Sequence, residues 1–303
     1  MKEYKIILKC ILNKHLKQFI SSLGTHISLV FSVIFIFTSA MDIFQLNFNF
    51  FRGSWIKFFI FVIAVVLISL IITLIQIQGS FRFKTQIKNN TSIIISVDDY
   101  IENAVRYHKA ACIFGCNNEF DLNLVKKDSL QYDFTNRFLD QQSAQRKIDS
   151  SLAHMNYQAI EVGENKKVYS FGTICCITFE EKSDIETRKL YLFANSARRD
   201  FNDFNGDNNT DQLLQNIWNF CEQNDIVERT LLVPLLGTGH SNDLSPMQSV
   251  KAIIDTYFAN YKSKRILNII ISIHPNSLKS IDLIKVKEYI QFKILEMSFG
   301  EEL

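Results

Sequence analysis

Leu231-Leu-Val-Pro-Leu-Leu-Gly-Thr-Gly-His-Ser-Asn-Asp-Leu-Ser-Pro246 is the stretch that organises the rest of the chain. Thr230–Leu236 is apolar with no polar alternation, which is the pattern of a strand covered on both faces. Gly237-Thr238-Gly239 ends it, and Pro246–Tyr261 starts with a proline, a residue favoured in the first turn of a helix. Glycines in such a turn let backbone approach a ligand, and N–H groups left free there bind anions. The spacing is not a dinucleotide fingerprint, because the third glycine and the acid about 20 residues further on are missing. It is not a P-loop either, since no Gly-Lys-Ser/Thr follows. On spacing alone, a ligand loop and a plain left-handed connection fit equally.

Working outward from that segment, strands and helices alternate. Thr91–Val97 reads as a strand, Asp99–His108 as a short amphipathic helix, and Ala110–Gly115 as an apolar strand ending in glycine. Asn117 to Asp133 has loop composition, and Asn136–Met155 is helical. Lys167–Phe179 holds two strand-like pieces around Gly172, and Leu190–Ser196 is a further strand. Asp211–Asn224 is a helix with Leu213, Leu214, Ile217, Trp218 and Cys221 on one side. Ile266–Ile273 is a last buried strand and Ser280–Met297 a last helix. Strands apolar on both faces, alternating with helices, predict an α/β domain whose mostly parallel central sheet is covered on both sides. It spans residues 89–303, with residues 82–90 as a basic, polar linker.

The N-terminal part is different. Ile56–Ile77 has 22 residues and one charge, Lys57, at its edge. As a helix it is about 33 Å long, enough for a hydrocarbon core of about 30 Å. Phe19–Ala40 is a weaker second span, very apolar over Ile27–Phe37. A signal peptide cut after Thr38-Ser39-Ala40 is the competing reading of it. The stretch is long for that role and a second apolar run follows at once, so residues 19–80 read as a transmembrane hairpin. Lys2, Lys5, Lys9, Lys14 and Lys17 precede the first span, in a basic tail of residues 1–18, and Arg82, Lys84 and Lys88 follow the second. Positive residues stay on the cytoplasmic side, which predicts a multi-pass inner-membrane protein with both termini in the cytoplasm. Ser21, Thr25, Ser28, Ser32 and Ser39 form a polar stripe on the first span. It serves either packing against the second helix or an interface between copies.

Charge and cysteines exclude several classes. A net charge of +2 with no basic stripe gives no electrostatic footprint for nucleic acid. Cys10, Cys112, Cys116, Cys175, Cys176 and Cys221 match no disulfide framework. Neither close pair has a second Cys or His cluster, so no metal site is expected. Reduced, buried thiols fit a cytoplasmic core.

The words around the glycine turn add a resemblance. Val233-Pro-Leu-Leu-Gly-Thr-Gly-His240, before a helix and a last apolar strand, resembles the phosphate loop of macro domains. Ala111-Cys-Ile-Phe-Gly-Cys-Asn-Asn-Glu-Phe-Asp121 looks like that family's first ligand loop. Val97-Asp-Asp-Tyr-Ile101 resembles the segment that supplies the adenine-reading aspartate, and Tyr169-Ser-Phe-Gly-Thr-Ile174 is similar to a strand in the family's middle. The resemblance runs from Thr91 to Met297 and implies a macro-like three-layer α/β/α fold. It implies that Gly237, Thr238, Gly239, His240 and Ser241 cradle a diphosphate through backbone N–H groups. Asn117 and Asn118 would contact the distal ribose, Asp98 or Asp99 would accept from the adenine amino group, and Phe120 would wall the distal ribose.

One departure bears on chemistry. Macro domains that hydrolyse ADP-ribose linkages carry a Gly-Gly pair after the asparagine loop, and Asn117-Asn-Glu-Phe-Asp-Leu-Asn123 has none. The departure favours a reader over an enzyme, with no catalytic residue and no cofactor. His240 could be named a general base, although a backbone role in the loop is enough to account for it. Two membrane helices fused to a macro domain resemble the membrane effectors of Thoeris-type antiphage systems. That resemblance implies an ADP-ribose-derived ligand made from NAD by a TIR-domain partner, assembly of copies on activation, and disruption of the lipid bilayer. The alternative is a membrane-tethered ADP-ribosyl hydrolase or ADP-ribose processing enzyme.

Overall fold

The computed structural model describes residues 20, 23–32, 60 and 62–70, and residues 81–300 apart from 89–90, 126, 128, 156, 158, 162–166, 181–186, 200–202, 207–209, 224–227, 239–243 and 261–265. Two compact units divide the chain, Met1–Arg82 and Phe83–Leu303. In the first, residues 23–32 and 62–70 are helical. Large apolar side chains stand exposed on both pieces, among them Leu29, Ile63, Leu67 and Ile68. Ser32 Oγ donates to Ser28 O at 2.8 Å, so part of the polar stripe bonds within its own helix. Among the described residues no helix is long and apolar enough to cross a membrane. Most of the two spans expected at 19–40 and 56–77, and all of the basic tail 1–18, lie outside the described residues.

The second unit is built on a sheet. Its strands are β1 (Arg82–Lys88), β2 (Thr91–Val97), β3 (Ala111–Asn117), β6 (Ile174–Glu180), β7 (Thr187–Arg199), β8 (Asp203–Gly206), β9 (Glu228–Pro234) and β10 (Ile266–Ile273). They lie in the order β1-β2-β10-β9-β3-β7-β6, with β8 on β7, while β4 (Ile160–Glu161) and β5 (Lys167–Val168) form a separate pair. β10 runs parallel to both β2 and β9, and β3 parallel to both β9 and β7. β6 and β8 pair antiparallel with β7. The expected mostly parallel sheet is therefore present.

Six α-helices are described in this unit: α1 (Tyr100–Arg106), α2 (Leu130–Phe138), α3 (Gln141–His154), α4 (Thr210–Gln223), α5 (Pro246–Ala259) and α6 (Leu283–Gly300). Alternation along each strand sends successive side chains to opposite faces. Cys112, Phe114, Cys116, Leu190, Leu192 and Leu232 join a core with Tyr100, Phe134, Ile148 and Leu152 of α1 to α3. On the other face Tyr191 meets Phe220 of α4 edge-on, and Trp218 meets Tyr257 of α5. Helices on both faces make the three layers. Arg188, 4% exposed at the start of β7, donates to Ala104 O and Ala110 O and lies over the Phe179 ring. A buried guanidinium is tolerable because those carbonyls replace its water.

Three local expectations change. Residues 82–88 form edge strand β1 rather than a linker, with half-buried Phe83, Thr85 and Ile87 alternating with exposed Arg82, Lys84 and Gln86. The helix expected at Asn136–Met155 is two helices. Leu139 turns extended, and the Asp140 carboxylate caps α3 by accepting from Ser143 N at 2.9 Å. The loop expected to last until Asp133 ends at Ser129, whose hydroxyl caps α2 at Tyr132 N. Cys112, Cys116 and Cys175 are buried, as expected of core thiols. Burial pushes the Cys175 thiol up to about 12 and raises Cys116 as well.

Candidate functional site

Three of the segments singled out by sequence, together with the end of β10, leave the sheet at the same end, the carboxyl ends of adjacent parallel strands. β2 runs into Asp98 and Asp99, β10 into His274, β9 into Leu235–Thr238, and β3 into Asn117 and Asn118. The chain passes from β9 to β10 in one direction across the sheet and from β3 outward to β7 in the other. β9 and β3 therefore flank a topological switch point, the place where open parallel sheets bind ligands.

The pairing of β9 with β3 is short there. β9 and β3 pair only at Ala111↔Leu231 and Cys112↔Leu232. One residue further on, the Tyr100 hydroxyl occupies the place of the ladder. It accepts from Ile113 N at 3.1 Å and lies 3.0 Å from Ile113 O and 3.1 Å from Leu232 O. The hydroxyl satisfies backbone groups that the two strands would otherwise offer each other, so the strands can part toward their carboxyl ends. Burial raises the Tyr100 pKa well above the usual phenol value, which keeps the bridging proton in place. Sequence reasoning quoted Tyr100 in Val97-Asp-Asp-Tyr-Ile101 but gave it no role.

Asp98 and Asp99 are placed differently. Asp98 Oδ1 accepts from Asp99 N at 3.0 Å, and Oδ2 pairs with Arg106 at 2.6 Å. Both its oxygens are engaged. Asp99 caps α1 through Oδ1, which accepts from Ile101 N at 2.8 Å. Its Oδ2 faces His274 Nε2 at 3.9 Å and is the less committed oxygen of the four. His274 is half-exposed, and its Nδ1 accepts from Asn276 N at 3.2 Å. Sequence reading gave His274 no role.

The asparagines also divide. Asn117 Oδ1 accepts from Glu119 N at 3.1 Å and Asp121 N at 3.3 Å, and its Nδ2 donates to Asp121 O at 3.3 Å. Its side chain thus shapes the loop from inside. Among the described residues, the Asn118 side chain makes no hydrogen bond, while Asn118 O accepts from Tyr169 N at 2.9 Å. Phe120 takes a left-handed backbone, φ 54°, and its ring is 1% exposed against Tyr169 at 5.6 Å. In this form it belongs to the core beneath the loop and presents no open wall. Gln145 of α3 braces the loop by accepting from Leu122 N at 2.9 Å and donating to Phe120 O at 3.1 Å. No sequence pattern marked Gln145.

In the glycine turn, Gly237 has φ 71°, the left-handed region where an added Cβ is strained. Its carbonyl accepts from Leu244 N at 3.0 Å, and Thr238 Oγ1 donates to Leu235 O at 3.0 Å. α5 then starts with a full capping box from Ser245 and Gln248 and a proline in its first turn. Gly239, His240 and Ser241 lie outside the described residues. No group of three or more His, Cys, Asp or Glu that could hold a metal occurs among the described residues.

Residues 87–274 match a family model described as Thoeris protein ThsA, macro domain. Among solved structures, a mutant of the Oceanobacillus iheyensis macrodomain with ADPR is similar at 10% identity and a TM-score of 0.45, covering 71% of this chain and 99% of that one. The same organism's macrodomain with ADP is similar at 9% identity and a TM-score of 0.45, covering 71% and 97%. No curated protein matches the sequence.

Proposed function

The chain belongs to the Thoeris ThsA macro-domain family, and on that footing we propose that its α/β domain senses an ADP-ribose-derived nucleotide in antiphage defence. The carrying observation is the short pairing of β9 with β3 at the switch point, with the left-handed Gly237 turn following one strand and the uncommitted Asn118 amide following the other. The diphosphate lies along Gly237 to Ser241, where turn N–H groups and the start of α5 favour negative charge. Asn118 meets the distal ribose, and Asn117 holds the loop in shape. Asp99 Oδ2, rather than an oxygen of Asp98, accepts from the adenine amino group. The domain binds its ligand without turning it over, a reading supported by the loop after Asn117 and Asn118, whose sequence lacks the Gly-Gly pair of the hydrolysing macro domains.

The signal comes from a TIR-domain enzyme acting on NAD. The N-terminal hairpin sits in the inner membrane with both termini in the cytoplasm, and the bound nucleotide drives assembly of copies and disruption of the bilayer. The apolar side chains exposed on residues 23–32 and 62–70 support that placement, since a monomeric soluble surface seldom carries so many together.

Calorimetric titration of the full chain in detergent micelles tests the reading, with ADP-ribose, NAD and the products of a TIR enzyme on NAD as ligands. Binding of ADP-ribose or a derivative without turnover is expected, and Gly239→Glu should abolish it by bulk and charge. Hydrolysis dependent on Asn118 or Asp121 would replace the sensor by an enzyme. Binding that survives Gly239→Glu would mean that the loop is not the phosphate site.

A further inference from the structure

The last helix carries two apolar faces. Val286 and Ile290 are fully buried against the domain. Ile284, Phe292, Leu295 and Phe299 are 47%, 57%, 56% and 68% exposed. At about 100° per residue these four fall within about 80° of arc, roughly opposite Val286 and Ile290. A helix apolar on two sides is normally covered on both. Nothing among the described residues covers the second face.

The charges say what would. Lys285 lies in the first turn of α6 and Lys287 just after it, Glu296 lies about one turn before its end, and Glu301 and Glu302 follow in the sequence. Cations at a helix start and anions at its end oppose the macrodipole, so this pattern does not serve the helix by itself. Asp282, just before the helix, already caps it by accepting from Ile284 N at 3.0 Å. Two copies of α6 laid antiparallel remove the conflict. Ile284 of one copy meets Phe299 of the other, the centre falls near Gln291 and Phe292, and Lys285 comes beside Glu296 of the second copy. The dipoles then oppose as well. Parallel pairing would set lysine on lysine. A bilayer surface fits less well, because the flanks carry both signs, where a lipid-facing helix is flanked by cations.

We propose that the exposed face of α6 is a self-association surface on which a second copy of this chain docks antiparallel. It rests on the proposal that copies assemble and does not depend on which nucleotide binds. Glu296 is 57% exposed even while bonded to Lys293 at 2.9 Å, so it can take a second cation.

The test is disulfide trapping of the full-length chain in membranes, with Cys10, Cys176 and Cys221 replaced by serine, with and without ADP-ribose. Gln291→Cys, near the centre, should oxidise to a dimer. Ile284→Cys and Phe299→Cys should each fail alone and link when the two chains are co-expressed. Adding Leu295→Asp to Gln291→Cys should remove the dimer and leave ADP-ribose affinity unchanged. A Gln291→Cys chain that stays monomeric in both conditions, Ile284→Cys linking to itself, or a dimer indifferent to Leu295→Asp would each overturn the surface. A trapped dimer in a chain that binds no ADP-ribose would uphold it and refute the nucleotide reading instead.

Discussion

Tyr100→Phe removes one oxygen from the place where β9 and β3 part. The ring stays, 5% exposed and edge-on to Phe114 at 6.3 Å, so no cavity larger than a hydroxyl results. What is lost is the acceptor for Ile113 N and the hydrogen bond to Leu232 O or Ile113 O. A buried N–H without a partner costs about 1–3 kcal/mol, so destabilisation by about 2 kcal/mol is expected. In a unit of this size each kcal/mol moves the melting midpoint by roughly 2–4 °C, giving a drop of roughly 4–8 °C. Thermal unfolding of the full chain, followed by Trp218 fluorescence and repeated with saturating ADP-ribose, measures it. The strands could instead zip one residue further, recovering the lost bond and drawing their carboxyl ends together. Stability would then be kept and nucleotide affinity would fall at least tenfold. A variant that melts within about 1 °C of the parent and binds ADP-ribose equally well would show that the hydroxyl does not hold the strands apart.

The asparagine loop predicts a split. Asn118→Ala should weaken ADP-ribose binding with little change in melting temperature, whereas Asn117→Ala, which strips Glu119 N and Asp121 N of their acceptor, should lower both; calorimetry and thermal unfolding on the same samples separate them. Gln145→Ala should resemble Asn117→Ala, because it releases Leu122 N and Phe120 O from the loop brace. The Cys175 thiol titrates near 12 when folded against a usual value of 9.0, so the unfolded chain loses that proton first and stability should fall as pH rises between about 9 and 12. Urea unfolding across that window should show a shallower fall for Cys175→Ala, and equal slopes would refute the linkage.

Elements with one strong period were legible. β2 and β10 match their expected bounds, and α5 begins at the expected Pro246, because continuous isoleucine runs and a proline–serine cap are local signals. β1 escaped because half-burial of Phe83, Thr85 and Ile87 depends on lying beside β2, a contact some sequence reading takes for a polar linker. The break between α2 and α3 turns on whether Asp140 caps or merely faces solvent, which helical periodicity does not distinguish. In the site, residue types were legible and their commitments were not. Asn117 and Asn118 are adjacent and identical, yet one is spent inside the loop. Asp98 is taken up by Arg106, eight residues away, while Asp99 keeps an oxygen toward His274. Asn117 and Asp98 are committed to partners within nine residues, but through loop and helix geometry that residue type does not carry, and only the approach of Asp99 to His274 comes from strand ends distant in sequence.

The same geometry bears on how a nucleotide could switch the chain. A ligand shifts an equilibrium only by its differential affinity for the two states, and moving it from 1:99 to 99:1 takes about 10⁴-fold. Contacts confined to one side of the switch point would be nearly alike in both states and supply little of that. In the proposed pose, a nucleotide with its adenine end by Asp99, just after β2, and its distal ribose at Asn118, just after β3, would cross β10 and β9 and bridge the point where Tyr100 replaces the pairing of β9 with β3. Its affinity then depends on how far β9 and β3 stand apart. β2 is bonded to edge strand β1, which is also where the chain enters the sheet from the N-terminal unit, so one side of the switch point is continuous with that unit through the backbone. On the proposed function, the separation of β9 and β3 is the coordinate on which a spanning ligand would have leverage, and the Tyr100 hydroxyl, bonded to Ile113 and near Leu232 O, is the group placed to set its resting value.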